Sequence, residues 1–278
     1  VYTLSRRGVL NCLDAFTGKL LWSKDIIDTF EGKIPKYEMS MSPFIDGERL
    51  IVVPGGGNAA VAALDRTTGE VLWKGGGSDK PGYATPVAAV IDSRPQYVIY
   101  MATSLVGVDS SDGSLLWRQP WQTKHDVNAA TPVLAGDRIF ITSGYNHGSA
   151  LVEIGDGRPA IIWQNKELVG HFNSPVFAAG HIYGIGDPGE LVCLEAATGK
   201  VAWREKGFEK GGLLGVDGML IAVGGRTGDV VLVEMTPQAY REAGRIRPLG
   251  GRSWTPPVLA DGRLYIRNES ALASIDLR

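Results

Sequence analysis

Apolar positions along the chain come in short runs, such as Val133-Leu134, Ile139-Phe140-Ile141, Ala150-Leu151-Val152 and Ala160-Ile161-Ile162-Trp163, separated by polar and turn-forming segments such as Gly136-Asp137 and Gly155-Asp156-Gly157. Runs this short, bounded by turn residues, predict β-strands rather than helices. Asp46-Gly47, Gly136-Asp137, Asp217-Gly218 and Asp261-Gly262 sit where tight hairpin turns would join successive strands. No long stretch carries a helical period, and Pro237 to Ala243 offers at most one or two turns.

The runs are organised by a repeat. Leu13-Asp14-Ala15-Phe16-Thr17-Gly18-Lys19-Leu20-Leu21-Trp22 returns as Leu64-Asp65-Arg66-Thr67-Thr68-Gly69-Glu70-Val71-Leu72-Trp73. It returns again from Val108 to Trp117, with Asp109 and Gly113, and from Leu194 to Trp203, with Gly199. Trp163 marks a copy with an irregular turn at Gly155-Asp156-Gly157, and a further copy near Val231 to Ile246 lacks the tryptophan. A second anchor keeps phase with the first: Ser42-Pro43, Thr85-Pro86, Thr131-Pro132, Ser174-Pro175 and Thr255-Pro256. A period of about 40–50 residues with four strands each is that of β-propeller blades.

Naming the strands of a repeat A to D in chain order, the aspartate opens the C–D turn. It can accept hydrogen bonds from backbone N–H groups just beyond it, and the glycine supplies the positive φ that closes the turn. The tryptophan on strand D is placed to lie against the neighbouring blade. Asp14, Gly18, Trp22, Asp65, Gly69, Trp73, Asp109, Gly113, Trp117, Trp163, Gly199 and Trp203 are therefore read as structural, since a ligand site would be built once and not in every repeat. The fold expected is all-β: a propeller of four-stranded antiparallel blades, five complete and two partial, in a single domain over residues 1–278. Its twenty-six strands fall short of a closed seven- or eight-bladed ring, so an incomplete ring lacking N-terminal strands is expected. The chain also opens at Val1 inside a strand-like run.

Composition adds exclusions. With 28 basic and 30 acidic residues the net charge is −2, which gives no general attraction for nucleic acid. No apolar run is long enough for a membrane helix. The two cysteines, Cys12 and Cys193, form no metal-type pair, and the four histidines have no zinc-site spacing, so no metal site is expected. Gly184-Ile185-Gly186-Asp187-Pro188-Gly189 matches a dinucleotide fingerprint, but a strand follows it where a helix is needed, so it is read as a B–C hairpin loop.

At Leu-Asp-x-x-Thr-Gly-x-x-x-Trp the chain resembles the pyrroloquinoline-quinone-like repeat family. That superfamily includes quinoprotein alcohol dehydrogenases and the outer-membrane assembly lipoprotein propeller. Ile34-Pro35-Lys36-Tyr37, Val53-Pro54-Gly55-Gly56, Ser143-Gly144-Tyr145 and Val233-Glu234-Met235-Thr236-Pro237 carry a closer likeness to bacterial propellers of the polyvinyl-alcohol-dehydrogenase type. The resemblance implies an eight-bladed parent and an exported, periplasmic protein. For the dehydrogenase branch it implies pyrroloquinoline quinone with calcium, held partly by two adjacent cysteines. Cys12 and Cys193 instead share a repeat position with Ala63 and Gly107, which reads as a small core residue on strand C.

Strand parity puts the D–A and B–C connections at one end of the blades and the tight A–B and C–D turns at the other. The D–A connections are long and irregular, and function on repeat scaffolds tends to reside in such loops. The candidate ligand-binding residues are Tyr37, Glu38 and Ser40; Tyr83; His125, Asp126 and Asn128; His171 and Asn173; and Arg252 with Trp254. A non-catalytic scaffold holding a protein, peptide or glycan is expected there, with no catalytic residue assigned. The alternative is a quinone-dependent alcohol or sugar dehydrogenase.

Overall fold

A computed structural model describes residues 1–278. Its strands make seven antiparallel sheets, each a meander of consecutive strands, five of four strands and two of three. Blade 1 is β1 (Tyr2–Leu4), β2 (Val9–Leu13) and β3 (Leu20–Asp25); blade 2 runs from β4 (Phe44–Asp46) and β5 (Arg49–Val52) to β6 (Val61–Asp65) and β7 (Val71–Gly75). Blade 3 comprises β8 (Val87–Ile91), β9 (Arg94–Tyr100), β10 (Ser104–Asp109) and β11 (Leu115–Pro120). Blade 4 comprises β12 (Val133–Ala135), β13 (Arg138–Ser143), β14 (Gly148–Gly155) and β15 (Arg158–Asn165). Blades 5 and 6 are β16 (Val176–Ala178) through β17 (His181–Gly186) and β18 (Glu190–Glu195) to β19 (Val201–Lys206), then β20 (Leu213–Val216) through β21 (Met219–Val223) and β22 (Val230–Glu234) to β23 (Glu242–Ile246). Blade 7 is β24 (Val258–Ala260), β25 (Arg263–Arg267) and β26 (Leu272–Asp276).

Seven blades replace the incomplete ring expected from the strand count and the eight-bladed parent implied by the resemblance. The two three-stranded sheets are blades in their own right, each an antiparallel meander of three consecutive strands, so they enter the count as whole units. Contacts divide the chain into two compact units: Val1–Pro132 with Glu153–Ala160, and Val133–Val152 with Ile161–Arg278.

Within each unit the core lies between consecutive blades. In blade 2, Leu50, Val52, Ala62 and Leu64 pack toward blade 1, whereas Ile51, Val61 and Ala63 pack toward blade 3. Side chains alternate across a strand, so a middle strand buried on both faces must be apolar throughout, which accounts for runs such as Val61-Ala62-Ala63-Leu64. The same alternation divides blade 5, with Ile182, Val192 and Leu194 toward blade 4 and Tyr183, Leu191 and Cys193 toward blade 6. In the second unit the A strands lie side by side, β12 against β16 and β16 against β20. Face-to-face blades with adjoining inner strands are propeller packing.

The repeat motif acts both within a blade and between blades. Asp65 Oδ1 accepts from Thr67 and Thr68 N–H, both at 2.8 Å, and Asp14 Oδ1 accepts from Phe16 and Thr17 N–H at 3.2 and 2.8 Å. The turn glycines hold φ of +70° at Gly18, +74° at Gly69, +75° at Gly113 and +69° at Gly199. Three of them also lie beneath the preceding blade's indole: a Cβ would meet Trp22 at 2.9 Å from Gly69, Trp73 at 2.4 Å from Gly113, and Trp163 at 2.7 Å from Gly199. Each glycine therefore answers two demands, left-handed backbone and close approach of an aromatic ring. Trp22, Trp163 and Trp203 donate Nε1–H to the next blade, at Arg66, Ala196 and Thr236 carbonyls, over 3.2, 2.9 and 2.7 Å. Trp117, which faces the irregular turn of blade 4, instead donates to Gln96 Oε1 in its own blade at 2.6 Å.

Opposite four of the motif tryptophans a small residue stands on strand C: Cys12 across from Trp22, Ala63 from Trp73, Gly107 from Trp117 and Cys193 from Trp203. A register shift follows at once in every one of these pairs, a recurrent bulge that increases local twist. In blade 6 the tryptophan position is Gly244, and the facing residue is Leu232, so large and small exchange strands.

One short helix, α1 (Ile26–Phe30), escaped the sequence reading. Asp25 caps it by accepting from Ile27 and Asp28 N–H, and Ile26 and Phe30 are buried between blades 1 and 2. Pro237 to Ala243, where one or two helical turns were allowed, has none: Tyr240 packs edge-on against Trp203 and β23 begins at Glu242.

Candidate functional site

In the first unit, three D–A loops meet around a cavity of about 580 Å³. Lys33, Ile34, Pro35 and Lys36 line it from the first loop, Lys80, Pro81 and Tyr83 from the second, and Lys124, His125 and Asp126 from the third; Ala102 completes the lining. The size is that of a ligand pocket. Tyr83 is buried and joins the loops: its N–H donates to the Asn128 carbonyl at 2.9 Å, and its hydroxyl accepts from Tyr37 N–H at 3.1 Å. Burial raises the Tyr83 phenol above its usual pKa, opposed by the Tyr37 hydrogen bond, so the hydroxyl stays protonated.

Tyr37 is half exposed, its ring 6.3 Å from Tyr83 and beneath the Lys36 ammonium at 5.2 Å. Glu38, in left-handed backbone at φ 66°, pairs with exposed Arg6 at 3.0 Å. Ser40 is exposed in the same loop but outside the cavity lining. Asn128 is not a rim residue: it is fully buried, and Nδ2 donates to the carbonyls of Met101, Ala102 and Trp121 at 2.9, 3.1 and 3.3 Å. It fastens the blade-3 B–C loop beneath the site, as a buried amide must find partners.

In the second unit the candidates gather on an aromatic row. Tyr145 meets His171 edge-on at 4.6 Å, His171 meets Phe172 at 5.1 Å, and Phe172 meets Trp254 at 5.6 Å. Trp254 is 41% exposed and carries two cations on its ring, Arg252 at 4.7 Å and Lys210 at 5.7 Å. Arg252 also pairs with Glu269. Trp254 and Arg252 stand between two small clefts of about 230 and about 170 Å³. Burial, with Lys210 nearby and Asp187 opposing, lowers the His171 pKa below its usual 6.5. Asn173 is buried, with neither amide atom hydrogen-bonded, so it too is absent from the rim.

Tyr83, His125 and Asp126 thus share one cavity, and His171, Arg252 and Trp254 share one row. Lys33, Lys36, Lys80, Lys124 and Lys210 were missed by sequence reasoning. The available signal was position: each lies in a D–A loop, and the first four fall within a few residues of a candidate aromatic or histidine.

Residues 1–205 match the family model described as outer membrane protein assembly factor BamB. The chain belongs to this family. The BamB of Yersinia pestis is 25% identical over 231 residues, 74% of this chain and 54% of that protein. That of Moranella endobia is 27% identical over 229 residues, 74% and 55% of the two chains. The chain therefore spans about half the length of these curated relatives. The crystal structure of BamB from Moraxella catarrhalis superposes with a TM-score of 0.73 at 19% identity, covering 98% of this chain and 80% of that one. A quinohemoprotein alcohol dehydrogenase from Pseudomonas putida HK5 superposes with a TM-score of 0.65 at 13% identity, covering 95% and 60%. Both likenesses establish the propeller fold.

The residues present do not fit the quinone centre implied for the dehydrogenase branch. Cys12 and Cys193 are each buried in a separate sheet opposite a motif tryptophan, and burial raises Cys193 to a pKa of about 11, which keeps it a thiol. No three His, Cys, Asp or Glu side chains converge as a metal-binding group. No helix is long and apolar enough to cross a membrane.

Proposed function

We propose that this chain is a non-catalytic β-propeller scaffold that works in the periplasm at outer-membrane protein assembly, holding a protein partner at its D–A and B–C loops. The family match over residues 1–205 carries this reading. The architecture supports it, because the repeated residues are occupied in holding blades together while the loop ends carry exposed Tyr37 and Trp254 beside unrepeated cations. Tyrosine, tryptophan and arginine are the usual anchors of protein interfaces. We treat residues 1–278 as one propeller domain, with Tyr37, Tyr83, His125, Asp126, His171, Arg252 and Trp254 as its contact candidates; Glu38 and Ser40 flank them.

Deleting the gene in its host should lower the content of folded outer-membrane proteins, and complementation should restore it. An unchanged outer-membrane profile would count against the assembly role. Dye reduction by an alcohol panel after adding pyrroloquinoline quinone and calcium would instead favour the dehydrogenase.

A further inference from the structure

We propose that the cavity framed by Lys33, Lys36, Lys80 and Lys124 receives an acidic polypeptide segment of a partner protein. The proposal rests on the scaffold reading and names the chemistry of what is held. Four ammonium groups from three separate loops line one cavity, against a single carboxylate, Asp126. The chain as a whole has a net charge of −2, so this concentration of positive charge is local. None of the four lysines is ion-paired, whereas arginines across the surface are matched with carboxylates, as in Arg66–Glu48 and Arg204–Glu190. Four like charges set against one carboxylate still repel one another, and an anionic ligand relieves that repulsion.

A second observation points the same way. Tyr83 is buried in the lining, and its hydroxyl accepts from Tyr37 N–H but donates to no protein group, which leaves a protonated donor for an acceptor on the ligand. The donor set also discriminates between anions. Arginine's planar fork matches a compact phosphate bidentately, whereas lysine meets one only as a point charge. No arginine lines this cavity. Lysines are point charges on flexible stems, suited to carboxylates spaced along a chain, and two prolines and a tyrosine offer apolar surface to its backbone and methylenes.

Fluorescein-labelled octaglutamate is the probe, followed by anisotropy. The protein should bind it saturably, and binding should weaken between about 50 and about 300 mM NaCl as screening shortens. The triple variant Lys33→Glu/Lys80→Glu/Lys124→Glu should bind at least about tenfold more weakly. Lys19→Glu, an exposed change in a C–D turn, should bind as the parent does. The four substituted lysines are exposed, so unchanged thermal unfolding should verify the fold. Equal binding by the triple variant, equal loss in Lys19→Glu, or displacement of the probe by pyrophosphate at lower concentration than by unlabelled octaglutamate would overturn the proposal. Failure here is separable from failure of the scaffold reading: the acidic-segment idea falls if peptide binding ignores the three lysines while a protein still crosslinks to the loops, and the scaffold reading falls if no protein does.

Discussion

Gly18 and Gly113 occupy the same turn position in blades 1 and 3, with φ of +70° and +75°, and differ in one respect. A Cβ on Gly18 meets nothing within 4 Å, whereas one on Gly113 would lie 2.4 Å from Cε3 and 2.7 Å from Cζ3 of Trp73. Gly18→Ala therefore measures the backbone cost alone, about 1–2 kcal/mol for a left-handed L-residue. Gly113→Ala adds the cost of driving a methyl into a ring, about 1–3 kcal/mol more for overpacking. Both positions lie in the first compact unit, so one unfolding transition reports on both. At roughly 2 °C per kcal/mol for a chain of this size, Gly18→Ala should lower Tm by about 2–4 °C and Gly113→Ala by about 4–10 °C. In a Trp73→Leu background the second change should shrink to the first, the coupling expected of direct contact. Equal shifts for the two alanines, or a Gly113→Ala penalty indifferent to Trp73, would refute the packing of one blade's indole on the next blade's turn.

Trp203→Ala removes a buried indole that touches Tyr183 and Tyr240 and donates to Thr236, and should cost about 3–5 kcal/mol in urea unfolding; a loss under about 1 kcal/mol would contradict that burial. The folded-state pKa of His171 lies below the unfolded value of 6.5, so its neutral form favours the fold. That stability is fully present above pH 6.5 and is lost as pH falls through the folded pKa. His171→Gln should flatten this part of the pH–stability curve, and an NMR titration placing His171 above 6.5 would contradict the assignment.

The blade motif was legible because its demands are local. An aspartate accepting from the next turn's N–H groups and a glycine at positive φ are set by four or five consecutive residues, and their recurrence gives the period. What Gly69, Gly113 and Gly199 do for the preceding blade was not legible, since nothing in a single repeat says what lies above its turn. The helix at Ile26–Phe30 was missed because one turn shows no period; only the Asp25 cap and the pair of apolar residues four apart marked it. The candidate loops were found by irregularity, which locates an exposed segment without separating its members. His125 and Asn128 are three positions apart, yet one lines the cavity and the other is a buried clamp. The cavity lysines were passed over because a single lysine in a loop is ordinarily solvated, and only folding brings these four together.

The claim that the loop ends of the sheets are the working surface is tested most directly by photo-crosslinking in the periplasm of the host. A photoreactive phenylalanine analogue at Tyr37 or Trp254 should trap a protein of the outer-membrane assembly apparatus. The same analogue at Phe16, a 99% exposed side chain in a C–D turn, should trap none. Crosslinking from Phe16 with silence at Tyr37 and Trp254 would contradict the account.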